Sequence, residues 1–223
     1  GDVDPTFGDG GEVVTPFFRL TTVFAIDPQG RILVGGDTLE SDFFPPGRLA
    51  RYDADGRLDP TFGNGGIAEV PPGRRPAYLS DVAFTPDGQV LVAATTSVEG
   101  TGDRTHDAIV VVRLEENGRP DLSFAHGEIF IEADDADFSF RNPQLLVHAD
   151  GRVSVASIAC DLFSCAGVAL FRFTSDGAPL GTELTLDEIR DLFDLSRVHL
   201  RNDDRLWLTA RSVSIGGSKL VLV

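Results

Sequence analysis

The chain has 223 residues, with 35 acids against 19 bases, a formal charge of −16 and a single lysine, Lys219. A surface so negative repels phosphate backbones and argues against nucleic acid as a partner. With 42% hydrophobic residues the chain can bury a sizeable core, and no run approaches the ~20 apolar residues of a membrane-spanning helix.

Taken in order, the chain first writes Asp4-Pro5-Thr6-Phe7-Gly8-Asp9-Gly10-Gly11 and then a short apolar run, Glu12-Val13-Val14. The run Thr22-Val23-Phe24-Ala25-Ile26 follows, then the turn Asp27-Pro28-Gln29-Gly30 and the run Arg31-Ile32-Leu33-Val34-Gly35-Gly36. Apolar runs joined by Asp/Gly turns predict β-hairpins, because glycine supplies the positive φ that such turns need. A third run, Leu49-Ala50-Arg51-Tyr52, leads through Asp53-Ala54-Asp55-Gly56-Arg57-Leu58 into the second copy of the opening phrase, Asp59-Pro60-Thr61-Phe62-Gly63-Asn64-Gly65-Gly66. The same order then recurs: Val82-Ala83-Phe84, turn, Gln89-Val90-Leu91-Val92-Ala93, and a third run from Ala108 to Leu114. A worn third copy comes next, Asp121-Leu122-Ser123-Phe124-Ala125-His126-Gly127. Two more cycles follow, around Asp150-Gly151 and Asn202-Asp203-Asp204, and the phrase does not return in them.

A period of 50 to 60 residues built from short strands predicts a propeller or an array. Each unit holds four runs, here called a to d, the fourth being Ile67 to Val70, Glu128 to Ile131 and Glu183 to Leu186, and the chain begins with a d-type run and stops after a c-type run. The counts balance at four of each if the N-terminal strand completes the last unit. The expected fold is therefore all-β, one domain over residues 1–223. It is a four-bladed β-propeller with blades near 19–70, 78–132, 140–186 and 195–223, the last completed by 11–15. Closure removes exposed sheet edges. The rival is four blades of a longer propeller. Ile109-Val110-Val111-Val112 lacks polar alternation, so burial of both its faces is expected.

The phrase Asp-Pro-Thr-Phe-Gly-x-Gly-Gly, with residues 29–36 and 49–59, resembles the delta-60 repeat, a bacterial family of β-propellers with no agreed function. The resemblance is good over residues 1 to about 130 and weakens beyond, where Asp176-Gly177-Ala178-Pro179-Leu180-Gly181 lacks the Phe-Gly step. It implies a propeller and a secreted or surface location, not an activity.

Cys160 and Cys165 are the only cysteines. Their spacing fits neither a four-ligand metal site nor a Cys-x-x-Cys redox pair, and a disulfide across a hairpin loop is expected, hence a periplasmic, extracellular or cell-surface setting. No methionine occurs, not even at position 1, which reads as the mature or excised part of a longer precursor.

Catalytic signals are weak. There is no Gly-x-Ser-x-Gly elbow and no Ser-x-x-Lys, and His106, His126, His148 and His199 occupy four different settings without metal-ligand spacing. His199 reads as an interior histidine. The tripled phrase reads as structural, its phenylalanine packed under a sheet edge. The Asp53–Asp59 loop reads as a turn rather than a calcium loop, since it lacks the ligand ladder of an EF-hand. The d–a and b–c connections are more informative: 15–20, 37–47, 71–78, 96–107, 133–139, 159–167, 187–194 and 212–218. They carry 14 acids against 5 arginines and hold Phe17, Phe18, Phe43, Phe44, Tyr78, Phe138, Phe163 and Phe193. Propellers gather these loops at the channel mouth, where an aromatic and acidic rim suits a protein segment or a small cationic or amphipathic ligand. A non-enzymatic binding module is expected. The alternative is a divalent-cation-binding, calcium-type propeller with Asp134, Asp135 and Asp137 as ligands. A hydrolase or lyase with carboxylates at the mouth ranks behind both.

Overall fold

A computed structural model describes residues 2–16, 18–38, 47–71, 77–99, 105–132, 139–160, 165–183, 192–200, 206–212 and 217–222. Among the described residues fifteen strands form four antiparallel sheets in chain order. The first holds β1 (Phe18–Ile26), β2 (Ile32–Thr38), β3 (Gly47–Tyr52) and β4 (Ile67–Glu69). The second holds β5 (Ala77–Phe84), β6 (Val90–Glu99), β7 (Thr105–Leu114) and β8 (Ile129–Ile131). The third holds β9 (Ser139–Val147), β10 (Val153–Cys160), β11 (Cys165–Phe173) and β12 (Pro179–Glu183). The fourth holds β13 (Leu192–Leu200), β14 (Leu206–Ser212) and β15 (Gly217–Leu222). One 3-10 turn, Ala125–Gly127, is the only helical element among the described residues. Within each sheet neighbouring strands are consecutive in sequence, and the inner strands pack in series, β1 on β5, β5 on β9 and β9 on β13. That is the blade-after-blade order expected of a propeller.

The core lies between sheets. Val23, Leu33 and Leu49 of the first sheet bury against Val82, Val92, Val110 and Val112 of the second. Leu91, Ile109, Val111 and Ile129 of the second bury against Leu145, Val155, Phe171 and Phe173 of the third. The apolar run 109–112 serves both interfaces and is at most 2% exposed throughout. Each such side chain contributes roughly 1.5–3 kcal/mol on burial, which is how sheets too small to stand alone hold one another.

Two expectations need correction. Among the described residues the fourth sheet has three strands and residues 12–14 do not complete it; this run makes only the bridge Asp9↔Glu12. The physical reason is that the N-terminal segment is held elsewhere. Gly8 N–H donates to the Asp55 carbonyl at 2.8 Å, fixing the segment against the first sheet. The outer strand of the third sheet also begins earlier than the run 183–186, at Pro179. With no Phe-Gly phrase to accommodate, the chain leaves the Thr174–Ala178 turn and pairs at once, Phe173 with Pro179 and Leu170 with Glu183.

Candidate functional site

The tripled phrase, which reads from the sequence as structural, forms a junction between sheets. In each copy an aspartate accepts the N–H and the hydroxyl of the residue two places on: Asp4 from Thr6 (2.9 and 2.6 Å), Asp59 from Thr61 (3.0 and 2.6 Å) and Asp121 from Ser123 (2.9 and 2.6 Å). The residue after the phenylalanine then donates its N–H to the turn of another sheet. Gly63 donates to the Asn117 carbonyl at 2.7 Å and Ala125 to the Asp176 carbonyl at 2.8 Å. Phe62 and Phe124 are wholly buried.

An arginine on the third strand of the same sheet locks the junctions of the second and third copies. Arg51 lies over the Phe62 ring at 4.7 Å, and its Nε donates to Asp59 at 2.8 Å. Its remaining donors reach the Glu116 carbonyl in the next sheet and the Thr61 hydroxyl. Arg113 repeats this over Phe124 at 4.8 Å, with Nε to Asp121 at 2.9 Å and a donor to the Ser175 carbonyl of the third sheet at 2.8 Å. The Ser123 hydroxyl, then the Ser123 N–H and Arg113, hold the Asp121 carboxyl down at about 2 against the opposing effect of burial. Burial also pushes Asp59 upward, but Thr61 and Arg51 outweigh it and its carboxyl lies below the usual range.

The acids of the neighbouring turns are occupied too. Asp27 accepts from Gln29 N–H and Arg31 N–H, and Asp53 from Asp55 N–H and Arg57 N–H. Asp55 pairs with Arg57. The 53–59 loop is therefore a hydrogen-bonded turn, as its sequence indicates. Open clefts of about 540 Å³ and 400 Å³ on this side follow the two junctions; the larger is lined by Arg113, Asp121 and Asp150, the smaller by Arg31, Arg51 and Glu116. They are the grooves between neighbouring turns.

One carboxylate works inside the sheet stack. Asp81 stands at a bulge of β5 and accepts the N–H of Val82 at 2.9 Å and that of Leu145, on β9, at 2.7 Å. Burial pushes its carboxyl above the usual range. It ties the inner strands of two sheets together.

At the opposite rim the aromatic candidates divide. Phe18 is buried in a small cluster with Ala50 and Tyr52, whereas Tyr78 at the start of β5 is 40% exposed. Phe193 lies on β13. Phe17, Phe43, Phe44, Phe138 and Phe163 lie outside the described residues, as do Asp134, Asp135 and Asp137. Among the described residues no group of three metal-ligating side chains occurs. His106 is buried with its Nε2 3.0 Å from Glu132, and among the described residues its Nδ1 has no hydrogen-bond partner. His148 is buried against the Ser154 hydroxyl at 2.8 Å, and His126 is exposed. Cys160 is buried and stands opposite Cys165 across the β10–β11 hairpin. Sequence reasoning missed Arg51 and Arg113; the signal was present, an arginine eight residues before the aspartate of each following phrase.

A family model described as "Domain of unknown function (DUF5122) beta-propeller" matches residues 28–62 and 85–124, about a third of the chain. No curated protein matches. Among solved structures, a protein of unknown function from Dyadobacter fermentans DSM 18053 is 12% identical with a TM-score of 0.52, over 90% of this chain and 63% of that one. An endo-arabinase from Bacteroides thetaiotaomicron VPI-5482 is 11% identical with a TM-score of 0.54, over 90% of this chain and 72% of that one. A glucose dehydrogenase is 17% identical with a TM-score of 0.55, over 91% and 60%. At these identities the likeness is one of fold alone. The chain thus spans less than two thirds of the length of two of these three structures.

Proposed function

We propose that the protein is a non-enzymatic binding module of a secreted, periplasmic or surface protein, and that it receives its partner on the rim formed by the d–a and b–c loops. The observation that carries this reading is the fate of the framework acids. Asp27, Asp53, Asp59 and Asp121 are all spent on backbone N–H groups or on arginines of the scaffold. The rim loops hold a surplus of nine acids together with eight aromatic residues, Tyr78 exposed among them. Acids there steer a cation and aromatic faces hold it. A lysine-rich amphipathic segment is the partner chemistry that uses both.

The extracellular setting rests on a Cys160–Cys165 disulfide, which the register of β10 and β11 supports. The activities in the titles of the arabinase and the dehydrogenase remain theirs.

The test is calorimetric titration with a synthetic lysine-rich amphipathic peptide at low and at physiological salt. Binding that weakens with salt, and that falls at least tenfold when Phe43→Ala and Phe44→Ala are combined, is the expected result. Binding indifferent to that double variant would sink the rim as the site. A melting point raised by millimolar calcium and restored by chelator would transfer the reading to a cation-binding propeller, with Asp134, Asp135 and Asp137 as the first variants.

A further inference from the structure

Asn64 and Asn117 are the two asparagines that precede a glycine, and the fold treats them in opposite ways. An asparagine in that setting can close on itself, the amide nitrogen of the next residue attacking the side-chain carbonyl carbon. Glycine favours this step because it carries no Cβ to shield its nitrogen. In a folded chain the outcome depends on whether the side chain and that nitrogen are at liberty to meet.

At Asn117 neither is. Its Oδ1 accepts the Arg119 N–H at 2.9 Å, and its Nδ2 donates to the Glu115 carboxylate at 3.2 Å. The Gly118 nitrogen, which would have to attack, donates to the Glu115 carbonyl at 2.9 Å. Gly118 is buried under the junction, where an added Cβ would stand 2.8 Å from the Gly63 nitrogen and 2.9 Å from the Phe62 ring.

At Asn64 both are. Asn64 and Gly65 are exposed, and among the described residues neither the Asn64 side chain nor the Gly65 N–H makes a hydrogen bond. A Cβ on Gly65 would meet nothing within 4 Å, so no neighbour obstructs the approach. The first copy of the phrase shows what the loop can hold. Asp9 takes the place of Asn64, and the bridge Asp9↔Glu12 repeats Asn64↔Ile67. The φ values of Gly8, Gly10 and Gly11 are 58°, 64° and 101°, against 58°, 61° and 103° at Gly63, Gly65 and Gly66. The same backbone path therefore accepts an aspartate.

We propose that Asn64 is a site of spontaneous deamidation in the folded protein and that Asn117 is protected from it. Hydroxide takes the Gly65 amide proton, the nitrogen bonds to Asn64 Cγ, and the Cγ–Nδ2 bond breaks as ammonia leaves with a proton from water. A second water opens the resulting succinimide. Opening at the side-chain carbonyl leaves an ordinary aspartate, and the second phrase then reads as the first. Opening at the main-chain carbonyl leaves an isoaspartate, whose backbone runs through the side chain and is one carbon longer. Two hydrogen bonds span that linkage, Asn64 N–H to the Ile67 carbonyl and Gly66 N–H to the Phe62 carbonyl, both at 2.7 Å. The longer chain cannot keep both, and the Gly63 contact with the Asn117 carbonyl lies beside them. Asn64 is thus a slow clock that adds a negative charge in either product and loosens the junction of the first two sheets in only one.

The experiment is incubation of the whole chain at mildly alkaline pH, followed by peptide mapping by mass. Asn64 is expected to convert at least about tenfold faster than Asn117, which reacts only when its turn opens. In concentrated urea the two rates should converge. Asn64→Asp should leave the urea midpoint unchanged, while the isoaspartyl fraction, separated by chromatography, unfolds at lower urea. An Asn64 that keeps its amide overturns the proposal, as do equal rates in the folded chain. A lead for Asn64 that persists in urea also overturns it, since sequence rather than fold would then set the difference. An isoaspartyl fraction as stable as Asn64→Asp would overturn the effect on the junction.

Discussion

The second and third copies of the phrase build the same junction from different residues. Both bury a phenylalanine completely under an arginine, and both hand an N–H to the next sheet. The loop after the phenylalanine differs. In the second copy Gly63, Gly65 and Gly66 carry φ values of 58°, 61° and 103°. In the third, one residue shorter, Ala125, His126 and Gly127 carry 48°, 60° and 118°. Two residues with side chains thus hold a left-handed conformation that ordinarily costs them about 1–2 kcal/mol each. The path is imposed by docking onto the neighbouring sheet, and glycine is its least strained occupant rather than its cause.

If docking dominates, the phenylalanine matters most and equally in both copies. Phe62→Ala and Phe124→Ala are each expected to destabilise by about 4 kcal/mol in urea unfolding, the cost of emptying a fully packed aromatic site. A loss under about 1 kcal/mol at Phe124 alone would show that the worn copy has ceased to hold its sheets. The glycines come next, and here two positions of the second copy should part. A Cβ at Gly63 would stand 2.1 Å from the Ile67 carbonyl oxygen, whereas one at Gly65 would meet nothing within 4 Å. Gly63→Ala should therefore cost about 3 kcal/mol and Gly65→Ala only about 1 kcal/mol, the second being the backbone penalty alone. Equal losses would mean that the loop shifts to admit the methyl group.

The repeat, the strands and the doubly buried run 109–112 could be read from the sequence because they depend on local period and local turns. What could not be read depends on neighbours. Arg51 looks like one polar residue in an apolar strand until the fold sets it over Phe62. Asp59 and Asp121 look like free surface acids until Thr61 and Ser123 turn back on them. The place of residues 12–14 was misread for the same reason. Counting strands assigns them to the fourth sheet, while the Gly8–Asp55 hydrogen bond, which no count reveals, sets them against the first. Phe18 and Tyr78 are similar rim candidates by sequence, and only packing separates the buried one from the exposed one.

The junction carboxylates offer a smaller effect with a defined sign. The Asp121 carboxyl in the folded chain lies at about 2, below its ordinary value of 3.8. Its stabilisation is complete above the ordinary value and is lost as the pH falls from there towards 2. The acid limb of the melting curve should therefore be shallower in Asp121→Asn than in the parent chain, with the parent the more stable at neutral pH. Parallel limbs would show that the Ser123 and Arg113 contacts do not persist in solution.

The smallest expected change is a gain. Ala125→Gly removes a left-handed alanine, worth about 1–2 kcal/mol, and returns about 0.5–1 kcal/mol through the greater freedom of glycine in the unfolded chain. The net is a stabilisation of about 0.5 kcal/mol, measurable as a small rise in the urea midpoint. Should Ala125→Gly instead lower the midpoint, its methyl group must be contributing to the junction. The geometry names the partner, since a Cβ built on Gly177 of the third sheet would lie 2.7 Å from the Ala125 Cβ. The worn copy would then have exchanged backbone ease for a contact across the sheets.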